Sequence, residues 1–347
     1  MENQSHLSTR KADHIRINLE KDVQSRLRNG LDKYHFSHRA LPELNLEDVD
    51  LSQELFGRKL RTPILISSIT GGTAEAKEIN KTLAAAAQIR GVAMGIGSQR
   101  AAIENPELET TFKVRDVAPD ILLFANLGAV QLNYRYGIDE CRRAVEMIDA
   151  DVLYLHLNPL QEAFQPEGDV HFRGLLNKIE SVCRVLEKPV VIKEVGWGIS
   201  GEDAKRLWNV GVAGIDVAGA GGTSWSQVER YRIADENLNR VAEAFIDWGI
   251  PTAESLIEVH KAIPEALLIA SGGLRHGVDI AKCIALGASM GGMAGRFLKT
   301  AVQSVEETVK LIDEISRAIQ ITMFVTGCRN LSQLRQENLK KMDDENL

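Results

Sequence analysis

The sequence predicts an α/β protein built as a TIM-type (β/α)8 barrel. Three observations predict it. Eight short apolar runs recur along the 347 residues, each followed by turn or polar residues. The runs are continuously apolar rather than alternating, as strands covered on both faces require. Helical patterns fill the gaps between them. A doubly wound open sheet accommodates the same alternation, because a single sequence does not display closure.

In chain order the runs are 63–69 (PILISSI), 92–98 (VAMGIGS), 121–127 (ILLFANL), 152–158 (VLYLHLN), 190–195 (VVIKEV), 214–220 (GIDVAGA), 267–272 (LLIASG) and 289–295 (SMGGMAG). Between the first two, residues 74–90 carry Ile79, Leu83, Ala86 and Ala87 at helical spacing. Ser200 with Asp203 three residues on reads as a capping-box-like start before Leu207 and Trp208. Val278, Ala281, Ile284 and Ala285 form one stripe, and Gly287 is placed to end that helix. Two segments fall outside the repeat. Residues 1–60 form a polar N-terminal extension with its own amphipathic pattern. The stretch 221–267, between strands six and seven, is far longer than the other connections and reads as a lid or binding loop. The polar tail 336–347 is expected to fray. The whole chain is thus expected to form one domain.

A net charge of −7 argues against nucleic acid as a partner. No apolar run reaches ~18 residues, so no membrane span is expected. Cys141, Cys183, Cys283 and Cys328 form no C-x-x-C pair and read as reduced thiols of a cytoplasmic protein. The N-terminus is polar and lacks an apolar signal core.

Polar groups just past strand C-terminal ends are where such a fold binds ligands. The richest stretch is 156–169, which follows an apolar run at 148–157. It gathers His156, Asn158, Gln161, Glu162, Gln165, Glu167 and Asp169, shaped by Pro159 and Pro166. Glu162 and Glu167 suit a divalent cation, or solvent. The turns Ser271-Gly-Gly-Leu-Arg-His-Gly277 and Met293-Ala-Gly-Arg-Phe297 end adjacent strands and open helices. There glycine admits a phosphate and helix N–H groups face it, although tight turns alone also explain them. Neither matches the dinucleotide fingerprint G-x-G-x-x-G. Lys193 sits inside an apolar strand, where it serves an anionic group or a Schiff base. Asn126 closes the third run as a ligand or a turn former. Thr70-Gly-Gly72 and Ser98-Gln-Arg100 add hydroxyl, amide and guanidinium donors at the same rim, while Arg10-Lys11 reads as surface charge.

These motifs together resemble the type 2 isopentenyl-diphosphate isomerase family. They are Arg10-Lys-Ala-Asp-His14, Thr70-Gly-Gly72, Gly97-Ser-Gln-Arg100, His156-Leu-Asn-Pro159 with Gln161-Glu162 and Gln165-Pro-Glu-Gly168, Lys193-Glu-Val-Gly196, Gly221-Gly-Thr-Ser-Trp225 and Ser271-Gly-Gly273. The resemblance covers nearly the whole chain. Ile69 departs from the Met often found before Thr-Gly-Gly, a contact expected to be largely backbone. The resemblance implies an FMN-dependent TIM barrel that converts isopentenyl diphosphate to dimethylallyl diphosphate by an allylic proton shift. It implies FMN, active when reduced, bound by Ser68, Ile69, Thr70, Ser98, Asn126, Lys193, Thr223, Gly273, Leu274, Arg275, Ala294 and Gly295. Substrate would meet Arg10, Lys11, Ser98, Gln99, Arg100, His156, Asn158 and Gln161. Glu162 would hold Mg2+. NADPH would serve only to reduce the flavin, whose N5 is the expected acid/base, assisted by His156 and Gln161. A cytoplasmic homo-oligomer, tetramer or octamer, is also implied. The competing expectation is an FMN-dependent oxidoreductase on the same barrel, acting on a small anionic substrate. A third is a non-catalytic flavin- or phosphate-binding protein.

Overall fold

A computed structural model describes residues 2–337 and 339–342, with side chains from residue 11 onward. Eight parallel strands close into a barrel: β1 Ile64–Ile66, β2 Ala93–Gly95, β3 Leu123–Gly128, β4 Val152–His156, β5 Val190–Lys193, β6 Gly214–Asp216, β7 Leu267–Ser271 and β8 Met290–Met293. Each pairs with its sequence neighbours, and β8 pairs with β1, which decides for the barrel against the open sheet. Every strand lies within one of the eight predicted runs apart from an end residue, Gly128.

Alternation along each strand sorts its residues between barrel interior and helix layer. Leu65, Phe124, Val152, Tyr154, Val191, Ile269 and Met290 form the interior cluster. Their neighbours Ile64, Ile66, Leu153, Ile192 and Ile215 pack outward against the helices. Two residues beyond interior positions the same face carries Ser67, Asn126, His156, Lys193, Ser271 and Gly292. The barrel interior therefore changes from apolar to polar at its C-terminal mouth.

The expected helices form at their expected signals. Ala74–Arg90 starts at Thr73, whose hydroxyl accepts from the Ala76 N–H, and stops at Gly91 with φ +63°. Gly201–Asn209 starts at Ser200, which accepts from the Asp203 N–H at 3.1 Å. Gly277–Ala285 ends before Gly287, where φ is +108°.

The long connection expected as a lid loop is instead helical. It holds Trp225–Arg230 and Glu236–Glu243, and then Thr252–Ala262, the ordinary barrel helix between β6 and β7. The first two are clamped by Phe164, Ile233, Ala242 and Phe245, an apolar cluster whose members are too scattered in sequence to read as one element. The N-terminal extension serves both ends of the barrel. Helix Glu2–Glu20 lies at the C-terminal mouth, and the hairpin Gln53–Leu55/Arg58–Leu60 plugs the other end with Leu60. Part of the tail expected to fray is held, because Lys340–Lys341 pairs antiparallel with Tyr34–His35; residues 343–347 lie outside the described residues. All four cysteines are free thiols. Among the described residues no helix is long and apolar enough to cross a membrane.

Candidate active site

The polar mouth has unfilled hydrogen-bonding capacity on one side. The hydroxyls of Ser67, Ser68 and Thr70, just past β1, are buried without a partner. A buried hydroxyl left unpaired is costly, so three together mark a place for a polar ligand. Glycines make the space. A Cβ at Gly95 would lie 2.7 Å from Ser68 Oγ, and one at Gly292 2.5 Å from Ser67 Oγ. Further round, Gly272 and Gly273 turn with φ of +104° and +69°, and the Asn29 amide donates to the Gly273 carbonyl at 2.7 Å. Gly295 opens the helix Gly295–Ala301, with no atom within 4 Å of where its Cβ would stand. Thr223 bridges to Gln24 of the extension, which closes this side.

Opposite, the loop after β4 forms a buried polar network. Asn158 is N-cap of the short helix Pro159–Phe164, which presents Gln161 and Glu162 inward. The Asn158 amide donates to Gln161 Oε1 at 3.2 Å and to Glu162 Oε1 at 2.9 Å. Glu162 Oε2 accepts from the Asp169 N–H at 2.7 Å. Asn158 Oδ1 and Gln165 Nε2 are buried without a partner. His156 Nδ1 donates to Asn126 Oδ1 at 2.8 Å. Asn126 in turn donates to the Ile96 carbonyl at 3.1 Å. Arg100 reaches into this side and donates to Asp169 at 2.6 Å and Glu104 at 2.9 Å.

The N-terminal helix and the insertion meet over this network at Glu229, which is completely buried. Its carboxylate accepts from His14 Nε2 at 3.0 Å, Gln161 Nε2 at 3.1 Å and Arg232 at 2.6 Å. Burial acts to raise the Glu229 pKa, but His14, Arg232 and Gln161 outweigh it and hold the group down at about 2. Burial lowers the pKa of His14 against the pull of Glu229, whose carboxylate accepts its Nε2 proton. Ile17, Val23 and Val228 pack beside this junction, and the His14 ring meets Trp225 edge-on at 5.0 Å.

The model of the FMN-dependent dehydrogenase family matches residues 4–109 and 161–341. An isopentenyl-diphosphate delta-isomerase of a Nostoc species is 54% identical over 328 residues, 94% of each chain. Those of Stutzerimonas stutzeri and Rickettsia felis are 51% and 50% identical, covering 97% and 95% of this chain and 98% and 96% of their own. The chain belongs to the isopentenyl-diphosphate delta-isomerase family. Among solved structures, a mandelate oxidase variant with (S)-mandelic acid superposes with a TM-score of 0.69 at 20% identity, covering 98% of each chain, a likeness of fold.

Within this isomerase-family chain, the predicted residues converge on one rim but are engaged differently. Gln99 does not offer its amide to the mouth. It is fully buried, donates to the Ala144 carbonyl at 2.8 Å and accepts from the Asn126 N–H at 2.9 Å, so its side chain positions β3. Arg100 is already paired to carboxylates. Lys193 is buried and donates to the Glu194 carbonyl at 2.6 Å. Leu274 is buried, and Arg275 is tied to Asp279 at 3.2 Å. Lys11 is half-buried on the N-terminal helix, whereas the Arg10 side chain lies outside the described residues. Ile69, Ser98 and Ala294 stand at the strand ends of the same mouth. Sequence reading missed His14, Ser67, Glu229 and Arg232. His14 ends the Arg-Lys-Ala-Asp-His motif, and its helical spacing from Lys11 was the available signal.

Proposed function

We propose that this isomerase-family protein moves the double bond of isopentenyl diphosphate to form dimethylallyl diphosphate, with FMN and Mg2+ bound at the barrel mouth. One observation carries the reading: a single rim holds two chemically different groups of buried polar atoms without partners. One lies on the hydroxyl- and glycine-lined side at β1, β7 and β8. The other lies on the amide- and carboxylate-lined side after β4.

The first side fits FMN. Three orphaned hydroxyls suit the polar edges of a flavin, and the open turns at Gly273 and Gly295 suit its phosphate. We assign the cofactor to Ser68, Ile69, Thr70, Ser98, Asn126, Lys193, Thr223, Gly273, Leu274, Arg275, Ala294 and Gly295, and add Ser67. When bound and reduced, FMN supplies a proton-bearing nitrogen and negative charge beside the substrate; NADPH or another reductant primes it.

The second side fits the diphosphate. His156, Asn158, Gln161, Ser98 and Arg100 supply donors, with Gln99 holding β3 in place beneath them, and Arg10 and Lys11 close from the N-terminal helix. Arg100 exchanges its carboxylate partners for phosphate oxygens. Among the described residues no three ligating side chains cluster, so Glu162 takes Mg2+ together with diphosphate oxygens and water, the usual arrangement for that ion. The insertion and N-terminal helix exclude water from the cation-like state that alkene protonation creates. We further assign the protein to the cytoplasm as a homo-oligomer.

The test is anaerobic incubation of purified protein with FMN, dithionite, Mg2+ and isopentenyl diphosphate, followed by NMR. Dimethylallyl diphosphate forming only when all four are present supports the reading. Turnover without flavin sinks it.

A further inference from the structure

Asp216 carries no role assigned above. It is the last residue of β6, completely buried, and its register partner on β5 is Lys193. Its carboxylate accepts from the Ser271 hydroxyl at 2.6 Å, the Tyr154 hydroxyl at 3.2 Å and the Ala218 N–H at 3.3 Å. Burial pushes the Asp216 carboxyl above the usual carboxylate range, while Lys193, the two hydroxyls and the Ala218 N–H favour its charged form. Ala218 sits at φ +38°, a conformation that side-chain-bearing residues rarely adopt.

Lys193 faces the same space. Its Nζ lies 5.9 Å from the centre of the Tyr154 ring, whose hydroxyl bonds Asp216. Its short contact is a neutral carbonyl, that of Glu194. The Glu194 carboxylate also feels Lys193, but it is spent on the N–H groups of Val195, Gly196 and Trp197 at 2.6–2.7 Å. Asp216 and Lys193 act on each other's charge without a direct ion-pair contact. A buried cation and a buried anion thus end adjacent strands at the mouth of the barrel.

We propose that Asp216 is a positioning residue that sets how much positive charge Lys193 presents to the flavin. The proposal rests on the FMN assignment above. Asp216 offsets part of the Lys193 charge, whereas without it the ammonium keeps only the Glu194 carboxylate, already engaged by three N–H groups, in a low-dielectric site. Reduced flavin carries negative charge, so an uncompensated ammonium makes reduction easier. Asp216 therefore holds the potential of bound FMN below the value Lys193 would impose by itself.

The test is the midpoint potential of bound FMN, measured by dye-coupled reductive titration, with FMN affinity followed in parallel. Asp216→Asn is expected to shift the potential upward and Lys193→Met to shift it downward, with the double variant between them. Ser271→Ala keeps the charge but removes the shortest donor that disperses it, so the anion offsets Lys193 more strongly and the potential is expected to shift downward, by less than in Lys193→Met. A merely structural role would change stability without this order. An FMN-loaded Asp216→Asn protein with a wild-type or lower potential overturns the proposal while leaving the FMN assignment standing. If that variant does not fold, an unmoved potential in Ser271→Ala overturns it instead. A wild-type chain that takes up no FMN overturns the FMN assignment and this proposal with it.

Discussion

Glu162 and Glu229 are both buried carboxylates, yet their surroundings give them different tasks. Glu162 accepts from the Asn158 amide and the Asp169 N–H on the substrate side of the mouth, where a hard cation bound through a carboxylate and diphosphate oxygens would sit. Glu162→Gln should raise the Mg2+ concentration for half-maximal activity by more than about tenfold, the scale seen even for outer-shell partners of a metal. FMN content should stay unchanged, and a Mg2+ titration with flavin absorbance checks both. Glu229 is already neutralised, by Arg232 with His14 and Gln161 as further donors. Its pKa is held at about 2 against an ordinary 4.5, so it contributes stability that is complete above pH 4.5 and lost as pH falls through 2. The shift corresponds to about 3 kcal/mol. Glu229→Gln should cost roughly that much at neutral pH, because Arg232 loses its close anion and keeps only Asp13 at 3.9 Å. It should also flatten the acid limb of a urea-unfolding series. An unchanged acid limb would show that the carboxylate bears no depressed pKa.

At the scale of elements, the strands were legible because a doubly covered barrel demands continuous apolar runs. Glycine and hydroxyl signals marked helix ends such as Thr73 and Gly91 where local chemistry alone decides. The insertion was not legible. Its helices are stabilised by Phe164 and Phe245, 81 positions apart and meeting at 5.3 Å, a contact without local periodicity. The site shows the same division. Motifs disclosed which residues gather at the mouth, but not that the Gln99 amide turns toward Ala144 or that Glu229 joins three elements. Close approach of backbones was visible only as glycine. At Gly97 a Cβ would lie 2.4 Å from the Thr70 carbonyl, so Gly97→Ala must push the loops after β1 and β2 apart. It should lose FMN at concentrations that saturate the wild type, as equilibrium dialysis would reveal. The N-terminal helix gives a complementary prediction. His14, Ile15 and Ile17 anchor it, while residues 1–12 lie beyond those anchors. Deleting 1–12 should therefore raise the KM for isopentenyl diphosphate and lower kcat with FMN affinity intact. Wild-type kinetics in the truncated enzyme would return Arg10 and Lys11 to surface charge.

For the whole molecule, a mandelate oxidase fold and an isomerase-family sequence share one barrel. The fold cannot choose between redox and non-redox chemistry, because the same polar mouth serves either. What differs is what surrounds it. An oxidoreductase must release a changed substrate and then regenerate its cofactor, so it needs access for an electron acceptor. Here the mouth is roofed by the insertion and by the helix Glu2–Glu20, locked together through Glu229. Such a roof suits a reaction in which electrons are neither gained nor lost and water must be kept from a cation-like state. The distinction has a stoichiometric signature. With one two-electron equivalent of dithionite per FMN under argon, the protein should convert many equivalents of isopentenyl diphosphate, and the flavin spectrum should stay reduced throughout. Air oxidation should stop turnover, and a second equivalent of dithionite should restore it. One reductant consumed per product would instead make this barrel an oxidoreductase on an anionic substrate, whatever its relatives do.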